Sequence, residues 1–211
     1  MNPAQLKAIA IAKNIVAKLS IHPGETEAEV AAWIGQELKK KGAKPAFKTI
    51  VASGKRAALP HGYATNKEIK NGELVVVDFG ALYQGQRSDL TRTYIVGKPK
   101  ARQKKIMAIV REAQTRAIKA VKAGVACRDI DQAARDYIKH KLFGHCFIHT
   151  TGHGIGRKTH QAPKISMHNR RLLQAGTVIT IEPGIYIKGW GGVRIEDMVL
   201  VTTKGCRLLT R

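Results

Sequence analysis

The most restrictive feature of the chain is an apolar, strand-like run that ends in an acid and is followed by a second acid in a similar run. Residues 75–77 are valines that lead directly to Asp78, and Asp89 follows eleven residues later. The pattern predicts a β-hairpin that reverses near Tyr83 and Gln84. Such a hairpin would place the two acids nearly opposite each other, with Cβ atoms about 4.5–5.5 Å apart. Two carboxylates at that spacing repel, so the pattern indicates a bound cation.

The same arrangement occurs a second time. One apolar run ends in Asp78 and another ends in Glu182, each six residues after a glycine. A second acid follows each of them, Asp89 after eleven residues and Glu196 after fourteen. The chain has only 15 acids among 211 residues, so four of them at such positions are informative. The repetition predicts two halves whose sheets meet and bring four carboxylates to the seam.

Helical and strand periodicities alternate in the same order in each half. The capping-box pair Thr26 and Glu29, and glycines at the predicted ends, delimit the helices. The helices are expected at 3–19, 26–41, 101–122 and 128–141, and the main strands of the remainder at 47–52, 177–181, 185–187 and 193–201. The chain is therefore predicted to be a single α+β domain over 1–211, with halves of about 1–97 and 98–211.

A histidine between glycines supplies a possible nitrogen ligand. His153 lies in the sequence Gly-His-Gly, where a backbone without side chains lets a ligand approach closely. Several carboxylates with one imidazole suit Mn, Fe, Co or Zn, whereas no thiolate set for structural zinc is present. A lone histidine of this kind is more often a packed loop residue, and Asp78 and Asp89 could be turn or cap residues; the four strand acids together favour the metal site.

The charge of the chain is strongly positive. There are 37 Lys and Arg residues, giving a formal net charge of +22 and a pI near 10.2. Such a field favours weak contact with polyanions or nucleic acid. A solvated basic surface is the competing interpretation, because the cations look scattered and no nucleic-acid-binding motif is present. The three cysteines, the lack of an apolar run of about 18 residues and the lack of a signal-peptide pattern predict a cytoplasmic protein without membrane contact.

Five motifs together resemble a known family, the pita-bread metallopeptidases. They cover residues 78–80, 88–93, 151–156, 181–186 and 192–197, and they occur in the family's order across nearly the whole chain. The Glu-Pro-Gly-Ile-Tyr sequence and the short step to Arg-Ile-Glu-Asp resemble the prolidase and Xaa-Pro aminopeptidase branch more than the related methionine aminopeptidases. The resemblance implies a pita-bread fold, with helices outside curved antiparallel sheets, and a catalytic domain alone.

The resemblance also implies a set of site residues. Two divalent ions, Mn²⁺ first with Co²⁺, Zn²⁺ or Fe²⁺ as alternatives, would share Asp89 and Glu196 as bridging ligands. A metal-bridging hydroxide would attack the scissile carbonyl. The full implied ligand set is Asp78, Asp89, His153, Glu182 and Glu196.

Catalytic and substrate-binding roles are carried over from the same motifs. Glu182 would act as a general base, and His160 would stabilise the oxyanion. His61 and His149 would bind the peptide, with His61 also in the catalytic set. Arg194 would meet either a neighbouring carboxylate or a substrate carboxylate.

The expected activity is removal of an N-terminal residue from small peptides, preferably ahead of proline. The alternatives are a methionine aminopeptidase-like activity, or a non-catalytic module of the same fold that binds nucleic acid, ribosome or protein. One departure from the family's pattern is Gln161, which follows His160 where a glutamate is usual. The oligomeric state has no signal in the sequence.

Overall fold

The computed structural model describes all residues from 1 to 211. Four α-helices are present: α1 Pro3–Lys18, α2 Glu27–Lys40, α3 Ala101–Ala120 and α4 Cys127–His140. The four predicted helices are confirmed, with ends within two residues of the expected positions. The capping box of α2 forms as expected, because the Glu29 N–H donates to Thr26 Oγ1 over 3.1 Å and the Thr26 N–H donates to Glu29 Oε2 over 2.7 Å.

Thirteen strands form four antiparallel sheets. They are β1 Lys44–Pro45, β2 Ile50–Ser53, β3 Leu74–Phe79, β4 Ala81–Tyr83, β5 Gln86–Arg87, β6 Leu90–Ile95, β7 Gly152–Gly154, β8 Gln161–Ile165, β9 Val178–Ile181, β10 Gly184–Ile187, β11 Gly191–Arg194, β12 Asp197–Val201 and β13 Cys206–Leu208. The sheet orders are β2-β3-β6, β1-β4-β5, β10-β11 and β13-β12-β9-β7-β8. No helix is both long enough and apolar enough to cross a membrane.

The predicted register of the first hairpin is wrong by two residues. Asp78 pairs with Thr91, and Asp89 precedes β6 instead of facing Asp78 directly. The reason is a smaller hairpin, β4–β5, which is inserted at the tip and pairs with β1. Its turn lies at Gln84 and Gly85, both with positive φ, one residue later than expected.

The single strand predicted at 193–201 is also wrong, because it is divided into β11 and β12 at Ile195 and Glu196. Glu196 lies between these two strands, and its N–H donates to Thr91 O of β6 over 3.1 Å. A second contact lies beside it, where Thr93 Oγ1 donates to Arg194 O over 2.8 Å. These bonds join the β6 side of the chain to the β11–β12 side, and the break places Glu196 at the seam.

Each pair of helices packs on its own sheet. One core of 16 buried residues joins α1 and α2 to β3 and neighbouring segments, and a second core of 22 buried residues joins α3 and α4 to β9–β12. Helices, then strands, therefore follow each other twice. The assignment of a single domain with halves near 1–97 and 98–211 stays a prediction.

Candidate metal centre

All nine predicted site residues line one cavity of about 730 Å³ at the seam. They are Asp78, Asp89, His153, Glu182, Glu196, His61, His149, His160 and Arg194. A second, shallower cavity of about 610 Å³ lies between α3 and α4 and contains none of them. The structure therefore brings together residues that are up to 135 positions apart in the chain.

Three side chains form the tightest group in this cavity. Ligand atoms of Asp89, His153 and Glu196 all lie within 4.8 Å of one another, and all three residues are buried. His153 Nε2 is 3.2 Å from Glu182 Oε1 and 3.7 Å from Asp89 Oδ2. Asp78, on strand β3, lines the same cavity. The arrangement offers four carboxylates and one imidazole to a common space.

The electrostatics of the centre are those of crowded acids. Burial, reinforced by the charge of neighbouring carboxylates, raises the pKa of Asp89 and of Glu196 well above their usual values. Burial also raises the pKa of Asp78, although Arg194 opposes the shift. For Glu182, burial is outweighed by the hydrogen bond and charge of His153, and its pKa is lowered to about 2. Such divergence within a few ångströms is characteristic of functional sites.

Two buried oxygens test whether this set fits a cation. Asp78 Oδ1 and Asp89 Oδ1 have no hydrogen-bond partner, although both are shielded from solvent. Buried polar atoms are nearly always paired, and an unpaired one calls for a missing partner. Oxygen donors with one imidazole are ligands that divalent transition ions accept. The residues therefore fit the implied metal ions.

His153 is oriented by its backbone surroundings. Its Nδ1 lies 3.1 Å from Gly154 O, and donation to that carbonyl directs Nε2 towards the carboxylates, 3.2 Å from Glu182 Oε1, where it becomes a metal ligand on giving up its proton. The flanking glycines are required by close packing, since a Cβ at Gly152 would lie 1.9 Å from Thr180 O and one at Gly154 would lie 2.3 Å from Ala162 O. The Gly-His-Gly sequence thus permits β7 to pack closely beside its neighbouring strands.

The other predicted histidines surround this core. His160 is exposed, and its ring contacts the His153 ring edge-on at a centroid distance of 4.4 Å. His61 is an exposed loop residue at the cavity wall. His149 Nδ1 is 2.8 Å from Thr150 O, so its Nε2 accepts from the Tyr186 hydroxyl, also over 2.8 Å. Burial lowers the pKa of His149, which favours the neutral ring required for this hydrogen bond.

Arg194 is placed differently from the predicted substrate contact. Its side chain is 3% exposed, and its Nη2 donates to Asp78 Oδ2 over 2.6 Å. Its other nitrogens donate to Thr91 Oγ1, Tyr186 Oη and Pro60 O over 2.8–3.1 Å. The alternative of a neighbouring carboxylate is therefore observed, and the guanidinium has little capacity left for a substrate carboxylate.

Comparison with known proteins identifies the family. The family model for metallopeptidase family M24 matches residues 4–203. The chain belongs to metallopeptidase family M24. It is 52% identical over 192 residues to a Xaa-Pro dipeptidase of Pyrococcus furiosus, an alignment that covers 90% of this chain and 55% of that protein. The chain therefore spans about half the length of that relative.

Solved structures of M24 relatives have the same fold. The prolidase from Pyrococcus furiosus matches with a TM-score of 0.96 and 50% identity, covering 99% of this chain and 63% of that one. The X-Pro aminopeptidase from Thermotoga maritima matches with a TM-score of 0.96 and 43% identity, covering 99% and 60%. These similarities confirm the predicted pita-bread fold, and the family resemblance of the sequence is confirmed with it.

Two residues that support this M24 site were missed at the level of sequence, Asp131 and Arg135. Asp131 of α4 is fully buried and accepts from the Thr151 N–H over 3.1 Å and from Thr151 Oγ1 over 2.8 Å. Arg135 forms an ion pair with it and also donates to His149 O over 2.8 Å. The one signal in the sequence is the four-residue spacing of the Asp and Arg, which is common on exposed helices.

Proposed function

We propose that the chain is the catalytic part of a Xaa-Pro dipeptidase that works with two divalent metal ions. The observation that carries the proposal is the convergence of four carboxylates and His153 on one cavity, with two buried carboxylate oxygens left without partners. The membership of the chain in family M24 and its similarity to a Xaa-Pro dipeptidase support the proposal of a peptidase. Mn²⁺ stays the predicted ion, with Co²⁺, Zn²⁺ or Fe²⁺ as alternatives.

The five proposed ligand residues would together hold the two ions. Asp89 and Glu196 would be shared, with His153 serving one ion and Asp78 and Glu182 completing the set. Ions held there would act as Lewis acids and lower the pKa of water that reaches them. Each buried carboxylate, costly to ionise by itself, would gain a compensating charge.

The surrounding residues would handle the substrate and its protons. Glu182 is the proposed proton carrier, because its carboxylate is 17% exposed and faces the cavity next to His153. His160 is proposed to donate a hydrogen bond to the scissile carbonyl oxygen, since its ring is exposed to the cavity beside His153. Partial burial and the neighbouring His153 lower the pKa of His160, so a neutral donor is favoured.

Peptide binding is assigned to the cavity walls. His61 and His149 would contact the peptide, His61 directly and His149 through the side of its ring that lines the cavity. A volume of about 730 Å³ suits a small ligand such as a dipeptide. Arg194 would act through Asp78, whose carboxylate it holds in position.

The test is hydrolysis by protein loaded with Mn²⁺ or Co²⁺. We expect turnover of Ala-Pro to exceed that of Ala-Pro-Ala and of Met-Ala-Ser, together with two ions per chain by elemental analysis. Preference for Met-Ala-Ser would favour a methionine aminopeptidase-like activity, and two bound ions without any turnover would refute the peptidase proposal.

Two variants test whether activity depends on an acid in the cavity or on any acid of the molecule. Glu182→Gln should lower kcat on Ala-Pro by at least about 100-fold, as expected when a general base is removed. Glu112→Gln is the matched control, because Glu112 is an exposed acid on α3 outside the cavity. Similar activity of the two variants would contradict the role given to Glu182.

A further inference from the structure

The positive charge is divided unevenly between the two parts of the chain. Residues 1–97 contain 14 cations and 8 acids, a net charge of +6. Residues 98–211 contain 23 cations and 7 acids, a net charge of +16. Three of those seven acids, Glu182, Glu196 and Asp197, lie in or beside the metal centre, so few remain to neutralise the outer surface.

Helix α3 carries the densest part of this charge. The segment 98–128 has ten cations and one acid, Glu112. That acid is already paired with Arg116 over 2.8 Å. The outward face of α3 presents Lys104, Arg111 and Lys119, which are exposed and have no carboxylate within ion-pair distance. Lys105 is exposed in the same way, one position along the helix.

The charged face continues onto the edge of the five-stranded sheet. Cys206 Sγ lies 3.4 Å from Ile118 O, so strand β13 runs beside the last turns of α3. Exposed Lys122 and Lys204 lie in this region, whereas Arg207 pairs with Leu200 and faces the side of the sheet away from α3. No acid follows Asp197 in the chain. The cationic surface is defined here by six residues: Lys104, Lys105, Arg111, Lys119, Lys122 and Lys204.

This surface is electrostatically unfavourable for the protein alone. Like charges three or four residues apart on a helix destabilise it, and Lys105 of this surface lies three residues after Arg102. A bound polyanion would relieve the repulsion and release its own counterions. The polyanion must also fit the shape of the surface.

The lack of exposed apolar side chains around this surface argues against a membrane or a single-stranded nucleic acid as its ligand. None of the large exposed hydrophobic residues of the molecule lies in 98–128 or in 198–211. A bilayer surface normally receives an apolar face as well as cations, and unpaired bases normally stack on aromatic side chains. A rigid row of phosphates needs neither. Lys104 and Lys119 are fifteen residues apart on one helix, which corresponds to roughly 22 Å.

We propose that the cationic surface binds the phosphate backbone of double-stranded nucleic acid without reading its sequence. Duplex phosphates supply one charge per roughly 1.7 Å of helix axis, dense enough to meet every cation of the row. No residue of the surface lines the metal-centre cavity. Binding and peptide hydrolysis are therefore separable, and this proposal does not depend on the proposed function.

The test compares two triple variants of equal charge. Lys104→Glu, Arg111→Glu and Lys119→Glu reverse the α3 row, whereas Lys7→Glu, Lys18→Glu and Lys39→Glu reverse three exposed lysines of α1 and α2. Each set takes the formal net charge from +22 to +16. Lys and Glu have similar helix propensities, so the helices should be retained, and circular dichroism checks this.

Binding of labelled 20-base-pair RNA and DNA duplexes is measured by fluorescence anisotropy from 25 to 200 mM KCl. We expect the α3 variant to bind at least about 10-fold more weakly and to lose about 2–3 from the slope of log K against log [KCl]. The control variant should stay within about 3-fold of the original protein. The RNA and DNA arms show which duplex is preferred.

Four results would overturn the proposal: equal weakening in both variants, no duplex binding by the original protein at 25 mM KCl, tighter binding to single strands of the same sequence, or tighter binding to phosphatidylserine vesicles. Hydrolysis of Ala-Pro by both variants at the original rate would show that the peptidase site is intact in every arm.

Discussion

Replacement of Asp131 by alanine should destabilise the protein strongly, although this residue bonds to none of the proposed metal ligands. Asp131 and Arg135 form an ion pair on α4, with the aspartate fully buried and the arginine 19% exposed. The substitution would leave Arg135 without its partner and would remove the acceptor of the Thr151 N–H and hydroxyl. Removing one partner of a buried pair costs about 3–5 kcal/mol.

The lower end of that range applies here. Arg135 keeps some contact with water and retains two carbonyl partners, Phe147 O and His149 O. We therefore expect a loss of about 3 kcal/mol in the free energy of unfolding. For a chain of this length, each kcal/mol lowers Tm by about 2–4 °C, so the expected fall is about 6–12 °C.

A matched pair on the neighbouring helix serves as the control. Glu112 and Arg116 have the same four-residue spacing on α3, but their side chains are 44% and 52% exposed. Exposed pairs of this kind contribute about 0.3–0.5 kcal/mol, so Glu112→Ala should lower Tm by no more than about 2 °C. Thermal unfolding followed by circular dichroism in EDTA measures both. Equal falls in the two variants would refute the reasoning that burial decides the value of the pair.

The Asp131 substitution should also weaken metal binding. The Thr151 carbonyl accepts the Glu182 N–H over 2.8 Å, and His153 lies two residues further along the chain, in strand β7. Loss of the Asp131 contacts should loosen both positions. Isothermal titration with Mn²⁺ measures the affinity, which should fall in Asp131→Ala and stay unchanged in Glu112→Ala.

Two further predictions concern the metal centre. Arg92→Gln should lower the affinity for Mn²⁺ measured by calorimetry, because Arg92 donates to Glu196 O over 2.5 Å. Arg211→Gln should not lower it, because the Arg211 side chain donates only to Asp197 and Gln114. Equal losses would contradict this. The second concerns pH. Raised pKa values mean that Asp89 and Glu196 keep protons in the folded state that they lose in the unfolded chain near 3.8 and 4.5. Tm of the metal-free protein should therefore fall as pH rises above about 4.5. Addition of Mn²⁺ should reverse the fall, and a flat Tm in EDTA would argue against the raised pKa values.

Local sequence signals predicted most of the helical framework. The capping residues Thr26 and Glu29 act within one turn of helix, so the start of α2 could be located without tertiary information. The apolar run before Asp78 likewise predicted strand β3 to within a few residues. The register of Asp89 could not be predicted, because it depends on the inserted β4–β5 hairpin and its pairing with the distant strand β1.

The partner of the Arg194 side chain could not be predicted from local sequence. Its sequence position beside a ligand strand allowed either a substrate contact or a carboxylate partner. The choice depends on burial, and burial depends on the contact of its strand with β6 and with the Pro60 loop. The density of cations on α3 can be counted in the sequence, whereas the position of β13 beside this helix cannot be predicted from it.

The sequence by itself determined the chemistry available to this M24 chain: an acid at the end of each of two apolar runs, a second acid after each, and one histidine between glycines. These are local patterns, and each follows from the preferences of short segments. Tertiary structure alone decided that Asp89, His153 and Glu196 lie within 4.8 Å of one another, and that Asp78 Oδ1 and Asp89 Oδ1 have no partner. The physical reason is that convergence depends on the packing of sheets built from distant parts of the chain, which no single segment specifies.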